Sequence, residues 1–284
     1  MKNFIINIFK TLFFFDLAVI IIPLLPVIEK SDGALTKLIS EALVLAVIVI
    51  FTIIFILVIE KKQITLPIGK HKFKSFWAGV AAGAVLPVVF IAITAVFKQF
   101  NYIGINKISH YYYWILALLC NAIATELMLR GYLFSLYKKF YGFSFAAVVT
   151  TLLYLSLNIN IFTKNTVFIV NIILFNILLC FLLEYSKSII TTITAHFIYT
   201  LLSTFILGSY QLTGEYPTLL NYTFAEKKLI IGSTHPIEES IIILAATSVL
   251  SLIFIFKKYE PVKRLKELRI KLKFALKNSK FKKR

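Results

Sequence analysis

Residues 35–59 read LTKLISEALVLAVIVIFTIIFILVI, a run in which 20 of 25 residues are apolar. A helix needs about 20 such residues to cross the hydrocarbon core of a bilayer. Similar blocks recur along the chain, in which hydrophobic residues make up 59% and charged residues 15% of 284 positions. Soluble domains are about 45–50% apolar and about 25% charged. The sequence therefore predicts an all-α, polytopic membrane protein.

The apolar blocks predict eight membrane-spanning helices, which form one transmembrane domain over residues 1–256. The predicted spans are Phe4–Pro26, Leu35–Ile59, Ser75–Phe97, Tyr111–Phe134, Phe143–Phe162, Val167–Leu183, Ser188–Gly208 and Ile237–Phe256. Residues 257–284 form a separate basic tail.

Basic residues concentrate on one side of this predicted topology. They are Lys2 and Lys10, five lysines of the loop 60–74, Lys138 and Lys139, Lys187, and the tail. Because cytoplasmic loops carry the excess of Lys and Arg, both termini are expected to be cytoplasmic. The abundance of Ile, Phe, Lys and Asn favours a bacterial plasma membrane as the location. Most of the net charge of +18 then belongs to the inner face.

The tail has the pattern of an amphipathic basic helix. Val262, Leu265, Leu268, Leu272 and Ala275 recur at helical spacing, with lysines between them. Such a segment is expected to lie on an anionic lipid leaflet. A basic run can also bind nucleic acid, but this tail is tethered directly to a membrane span, so no nucleic-acid partner is expected.

Few ionisable residues lie inside the predicted spans, and each costs at least ~2.5 kcal/mol by insertion scales. Those considered for a site or a partner are Asp16, Glu126, Arg130 and His196, with Glu184 at the inner end of span six. Glu126 and Arg130 are four apart and share one helix face, where they could simply neutralise each other. His196 and Glu126 lie at equal depth, about 12 Å from the inner surface, which permits a shared site. His196 could equally be a packing residue, and Asp16 has no evident partner.

Cys120 and Cys180 both lie inside apolar blocks. This position is typical of small buried hydrophobic residues and disfavours a disulfide framework or a cysteine-based metal site. The sequence predicts no cofactor and no metal.

Span three contains a run of small residues, Ala78, Gly79, Ala81, Ala82, Gly83 and Ala84. Small residues let helices approach closely in membranes. The run could serve binding of another membrane protein or packing within the chain itself.

Three motifs resemble those of the CPBP family, the CAAX prenyl proteases and bacteriocin-processing or immunity proteins, also called the abortive-infection family. Residues 125–134, TELMLRGYLF, resemble the first motif, Glu-Glu-x-x-x-Arg followed by Gly-x-Leu-Phe. Residues 154–158, YLSLN, stand at the second motif, Phe-x-x-x-His, and residues 196–200, HFIYT, at the third, His-x-x-x-Asn. The order and spacing fit, and the resemblance covers about residues 111–208.

The departures from these motifs fall on the residues that the resemblance makes catalytic. Thr125 stands where the family has the glutamate that activates water, Asn158 replaces a histidine, and Thr200 replaces an asparagine. Glu126, Arg130 and His196 keep the family's residue types. Threonine and carboxamide side chains have no basicity near neutral pH. A zinc-assisted route needs about three protein ligands, and only two candidates remain. The motifs therefore predict a relic of a catalytic site.

The resemblance implies a non-proteolytic scaffold or regulator of cell-envelope proteins, similar to members of the lysostaphin-resistance type. Its partners would be the bilayer and another membrane or envelope protein. Two alternatives stay open: a bacteriocin self-immunity protein, and an active CAAX-type intramembrane endopeptidase that uses Glu126 and His196. A transporter is disfavoured because the sequence shows no inverted repeats.

Overall fold

The structure is a computed structural model that describes residues 2–26, 28–30, 32–209, 216–224 and 236–259. Almost all of the predicted basic tail, 257–284, lies outside these residues. The helices are α1 Lys2–Ile21, α2 Gly33–Ile54, α3 Lys72–Val96, α4 Tyr111–Glu126, α5 Phe134–Leu157, α6 Thr166–Ser186, α7 Ile189–Thr200 and α8 Ile241–Tyr259. The prediction of an all-α polytopic membrane protein is confirmed.

Six ranges of the described chain are long and apolar enough to cross a membrane: Phe4–Leu24, Gly33–Ile59, Lys72–Val96, Tyr111–Leu157, Thr166–Ser186 and Ile189–Ile206. The fourth has 47 residues and would measure about 70 Å as one straight helix, more than twice the hydrocarbon thickness. It is broken at Gly142 (φ 83°, ψ 178°), where the chain leaves the helical conformation. The last apolar helix, Ile241–Phe256, is shorter. The count of eight spans stays a prediction.

Some predicted bounds differ from the helices that form. The helix of span five ends at Leu157, and a 3₁₀ turn follows over Ile159–Thr163. Residues 237–239 of the predicted span eight form a turn, and the helix begins at Ile241.

A two-stranded antiparallel ribbon, not predicted from the sequence, closes one end of the helices. It pairs β1 (Phe100–Ile105) with β2 (Leu220–Phe224), with Tyr102 opposite Tyr222 and an irregularity between Tyr102 and Gly104. We call this end the ribbon side. At the opposite end, the lysine side, Lys10 pairs with Glu60 at 2.8 Å, and Lys139 donates to the Gln63 carbonyl at 3.0 Å.

Helices α3 and α7 pack at very short distance through two glycines of α3. A Cβ atom added at Gly83 would lie 2.3 Å from the Ala195 carbonyl oxygen, and one added at Gly79 would lie 2.6 Å from the Thr191 carbonyl oxygen. No side chain fits at these distances. At Gly79 and Gly83, the small-residue run of span three therefore serves packing within the chain. Because Ala195 precedes His196, this contact also fixes the position of the site.

The side chains are distributed as expected for a bilayer, with apolar groups outward and polar groups inward. Phe9, Val88 and Leu152 are 67%, 57% and 59% exposed, whereas Glu126 and Arg130 are fully buried. The polar interior therefore lies between helices, where a site can form.

Candidate functional site

Helix α4 presents two different groups of polar side chains to its neighbours. Thr125 and Asn121, one turn apart, line a cavity in the helical bundle. Glu126 and Arg130 project to another side, where they are completely buried. Beyond Glu126 the helix widens into a π-helical segment, Leu127–Leu133, which contains Arg130. Such irregularities occur often at functional sites because they redirect side chains.

Arg130 and His196 both contact the same carboxylate oxygen of Glu126. Glu126 Oε1 lies 3.1 Å from a terminal nitrogen of Arg130 and 2.9 Å from Nδ1 of His196. The pair with Arg130 runs along α4, and the contact with His196 crosses to α7. A buried carboxylate is stabilised only when ionic and hydrogen-bonding partners replace water. The cluster thus joins the first and third motifs physically.

Asn176 of α6 also binds the guanidinium of Arg130. The second terminal nitrogen of Arg130 donates to Asn176 Oδ1 at 2.6 Å and to the Asn176 carbonyl at 3.2 Å. The amide nitrogen of Asn176 donates in turn to the Ile172 carbonyl at 2.9 Å, which fixes its orientation. Asn176 was missed from the sequence, where the available signal was that it is one of two asparagines in an otherwise apolar span six.

The cavity beside the cluster has a volume of about 180 Å³. Its polar lining includes all three positions at which the motifs depart from the family, Thr125, Asn158 and Thr200, together with His196. The remaining walls are mostly apolar and come from α2, α4 and α5. The place where the family resemblance locates the chemistry is therefore present as a pocket, with hydroxyl and amide groups in it.

The side chains of two replaced residues donate hydrogen bonds to backbone carbonyls of their own helical segments. The Asn158 amide donates to the Tyr154 carbonyl at 3.0 Å, at the end of α5. The Thr200 hydroxyl donates to the His196 carbonyl at 2.9 Å. Each bond links residues four apart in one helical segment, so neither residue joins the Glu126 cluster through these bonds.

Glu126 is not among the residues that line the cavity, whereas His196 is. His196 thus spans the two environments: Nδ1 contacts Glu126, which leaves Nε2 as the nitrogen available to a molecule in the cavity. Fixing one ring nitrogen with a carboxylate sets the tautomer and orientation of an imidazole. The surviving glutamate is placed to orient the histidine and not to contact a substrate.

Within the described part of the chain, no three His, Cys, Asp or Glu side chains come close enough to hold a metal ion. Glu126 and His196 supply two candidate ligands, one fewer than catalytic zinc sites use.

A second polar cluster adjoins the cavity and was missed from the sequence. Glu41 of α2 is 6% exposed. It accepts a hydrogen bond from the Asn121 amide at 3.0 Å and pairs with Lys37 at 3.2 Å. Lys37 also lies 5.3 Å from the centre of the Tyr216 ring. Asn121 and Tyr216 line the cavity. The carboxylate of Glu41 therefore lies directly behind the lining of the cavity, where Lys37 neutralises its charge.

A third buried acid, Glu238, lies in the turn before α8, outside the spanning helices. Its oxygens accept hydrogen bonds from the Tyr199 hydroxyl at 2.8 Å and the Ser209 hydroxyl at 2.7 Å. Complete burial raises the pKa of this carboxyl to about 7, against the lowering effect of those two hydrogen bonds. The Asn171 amide holds the backbone carbonyl of Glu238 at 2.7 Å. Glu238 thus joins the start of α8 to α6 and α7.

The comparison with protein families agrees with this geometry. Residues 107–202 match the family described as type II CAAX prenyl endopeptidase Rce1-like. The matched range contains all three motifs and the residues of the Glu126 cluster, and it supports the CPBP assignment for this part of the chain. No curated protein matches the chain.

Proposed function

Starting from this family assignment, we propose that this CAAX-protease-like integral membrane protein does not cleave peptides and acts as a scaffold or regulator of cell-envelope proteins. The proposal rests on the lining of the cavity. There Thr125, Asn158 and Thr200 stand at the positions of the family's catalytic and polar residues.

Hydrolysis needs a group that removes a proton from water within hydrogen-bonding reach of the substrate. Among the described lining residues there is no Asp or Glu, and His196 is the one imidazole. A threonine at position 125 cannot accept that proton near neutral pH. Glu126 could replace it only by turning into the cavity, which would break its contacts with both Arg130 and His196.

One observation favours the alternative of an active peptidase. The contact between Glu126 and His196 resembles the pairing of an orienting carboxylate with a histidine base in hydrolases. In that case Nε2 of His196 would activate the water. The arrangement would still lack the second histidine, since Asn158 occupies that position.

Purified protein in detergent or nanodiscs, incubated with a prenylated CAAX peptide and with a leader-bearing peptide, tests the proposal. We expect the wild-type protein to release no more product than a protein-free sample. Product release by the wild type that is lost in both Glu126→Gln and His196→Gln would overturn it. Thermal unfolding of the two variants shows whether each one is folded.

The proposed location is a bacterial plasma membrane with both termini in the cytoplasm and the tail on anionic lipid. The gathering of Lys10, Lys138, Lys139 and Lys187 at one end, away from the ribbon, supports this orientation. Reporter fusions at each terminus test it: a cytoplasmic reporter should be active at both ends, and activity of a periplasmic reporter at either end would contradict it.

A further inference from the structure

Asp16 occupies an unusual position in α1. It lies twelve residues after Phe4 and eight before Leu24, the ends of the first candidate span. These separations correspond to about 18 and about 12 Å along the helix, near the middle of a bilayer. The side chain is exposed on the outside of the bundle. No hydrogen bond or ion pair links it to another described residue.

The residues around Asp16 form one continuous outer face of α1. Phe9, Phe13 and Ile20 are 67%, 58% and 60% exposed. With Asp16 they follow a spacing of four, three and four residues, which is the spacing of a helix–helix seam. The opposite face of α1 packs into the bundle through Phe14 and Ala18, both fully buried. The face that carries Asp16 is therefore left uncovered by the described residues of this chain.

A carboxylate surrounded by lipid tails is unfavourable, and acidic residues inside spans normally face a partner or a water-filled cavity. Asp16 faces neither among the described residues. A cation, or a strong hydrogen-bond donor at the same depth, would satisfy it, so the missing partner is expected to be basic.

The described residues of a second copy do not offer such a group. Arg130 and His196, the basic residues of the site, are both buried against Glu126. Lys10 lies six residues closer to the lysine side, about 9 Å away along the axis, and is paired with Glu60. Two copies joined through α1 would bring two aspartates together, which repel each other when ionised.

We infer that the outer face of α1 binds a transmembrane helix of a different protein, which carries a lysine, arginine or histidine at mid-bilayer depth that pairs with Asp16. The apolar residues Phe9, Phe13 and Ile20 would pack against that helix, and the charge pair would fix its register. This inference rests on the proposed function, because it specifies the chemistry of the partner that a scaffold would bind.

Photo-crosslinking in native membranes tests the interface. A photoreactive phenylalanine analogue replaces Phe13, which changes the native side chain little. The matched control carries the same analogue at Leu152 of α5, which is equally exposed at 59%. Each is compared with and without Asp16→Leu, and cross-linked proteins are identified by mass spectrometry.

We expect one membrane protein to be captured at position 13 and not at position 152, with a basic residue inside its spanning segment. Its yield should fall about tenfold in Asp16→Leu. Asp16→Lys should abolish capture, and exchanging the partner's basic residue for aspartate should restore it. Capture of lipid alone, capture of a second copy, or a yield unchanged by Asp16→Leu would each overturn the inference.

The experiments can contradict the non-proteolytic function and the α1 interface independently of each other. If purified protein cleaves peptides while position 13 still captures a basic partner, the non-proteolytic function is wrong and the α1 interface stands. If the protein does not cleave and position 13 captures only lipid, the interface is wrong and the proposal of a silent catalytic site stands.

Discussion

Nδ1 of His196 lies 2.9 Å from Oε1 of Glu126, which joins two residues 70 positions apart in the chain. The next residue back from this glutamate, Thr125, faces the cavity instead. A single residue, about 100° of rotation around α4, therefore separates a carboxylate that holds the helices together from the position at which the family resemblance puts the base. The consequences of this separation can be measured.

Removing the Glu126 carboxylate should strongly destabilise the protein. In Glu126→Ala, Arg130 would stay fully buried without its counter-charge, a loss of about 3–5 kcal/mol. Thermal unfolding in detergent measures the change. The double variant Glu126→Leu with Arg130→Met is the control, because a buried pair replaced by apolar residues of similar size is often neutral. Equal melting temperatures for Glu126→Ala and wild type would contradict the prediction.

Two asparagines at the site should behave differently on truncation. Asn176→Ala removes the acceptor that Arg130 contacts at 2.6 Å and should cost about 1–3 kcal/mol, because the buried donor loses its bond. Asn158→Ala removes a bond to the backbone of its own helix and should cost about 1 kcal/mol or less. Unfolding free energies of the two variants, compared with wild type, give the difference. An equal or larger loss in Asn158→Ala would show that this residue still belongs to a buried polar network.

The close approach of α3 and α7 should tolerate no added methyl group. Gly83→Ala would put Cβ 2.3 Å from the Ala195 carbonyl oxygen, which forces the helices apart. Overpacking of this kind costs about 1–3 kcal/mol and should shift His196 away from Glu126. Gly104→Ala is the matched control, because a Cβ there meets nothing within 4 Å. Loss of thermal stability in the control equal to that in Gly83→Ala would argue against a specific contact between α3 and α7.

Stability should depend on pH through Glu238. Its pKa is raised from the ordinary value of 4.5 to about 7 in the folded protein. As pH rises between these values, the unfolded chain loses this proton first, so the free energy of unfolding falls, by about 3 kcal/mol at most. Below pH 4.5 both states hold the proton and the effect is absent.

Melting temperatures of wild type and Glu238→Gln at pH 5 and pH 8 check this difference. The glutamine variant should lose less stability than wild type between the two values. An identical fall in both proteins would mean that Glu238 does not contribute.

Much of the fold and part of the site follow from local sequence. The apolar blocks are long enough to identify spanning helices without further information. The four-residue spacing of Glu126 and Arg130 fixes a shared face, and the motif order indicates that α4 and α7 meet. That Asn158 and Thr200 would line the same cavity as Thr125 is implied by the family resemblance alone.

Other features depend on contacts that no local pattern reveals. Glu41 lies in the most apolar stretch of the chain, and its partner Asn121 is 80 positions away. Glu238 falls in a turn that the hydrophobic pattern assigns to a span. The ribbon pairs Tyr102 with Tyr222. The two short segments that contain these residues form strands only because they pair with each other. In each case the partner is distant in sequence, so burial and pairing appear only in three dimensions.

The most direct test of the claim that the protein does not cleave peptides is a cleavage assay of the wild-type protein. It is run beside a variant in which Thr125→Glu, Asn158→His and Thr200→Asn restore the family's motif residues. Mass spectrometry of a prenylated CAAX peptide counts the product. We expect the wild-type protein to give no product above the protein-free background, whatever the variant yields. Product from the wild type that disappears in Glu126→Gln would contradict it.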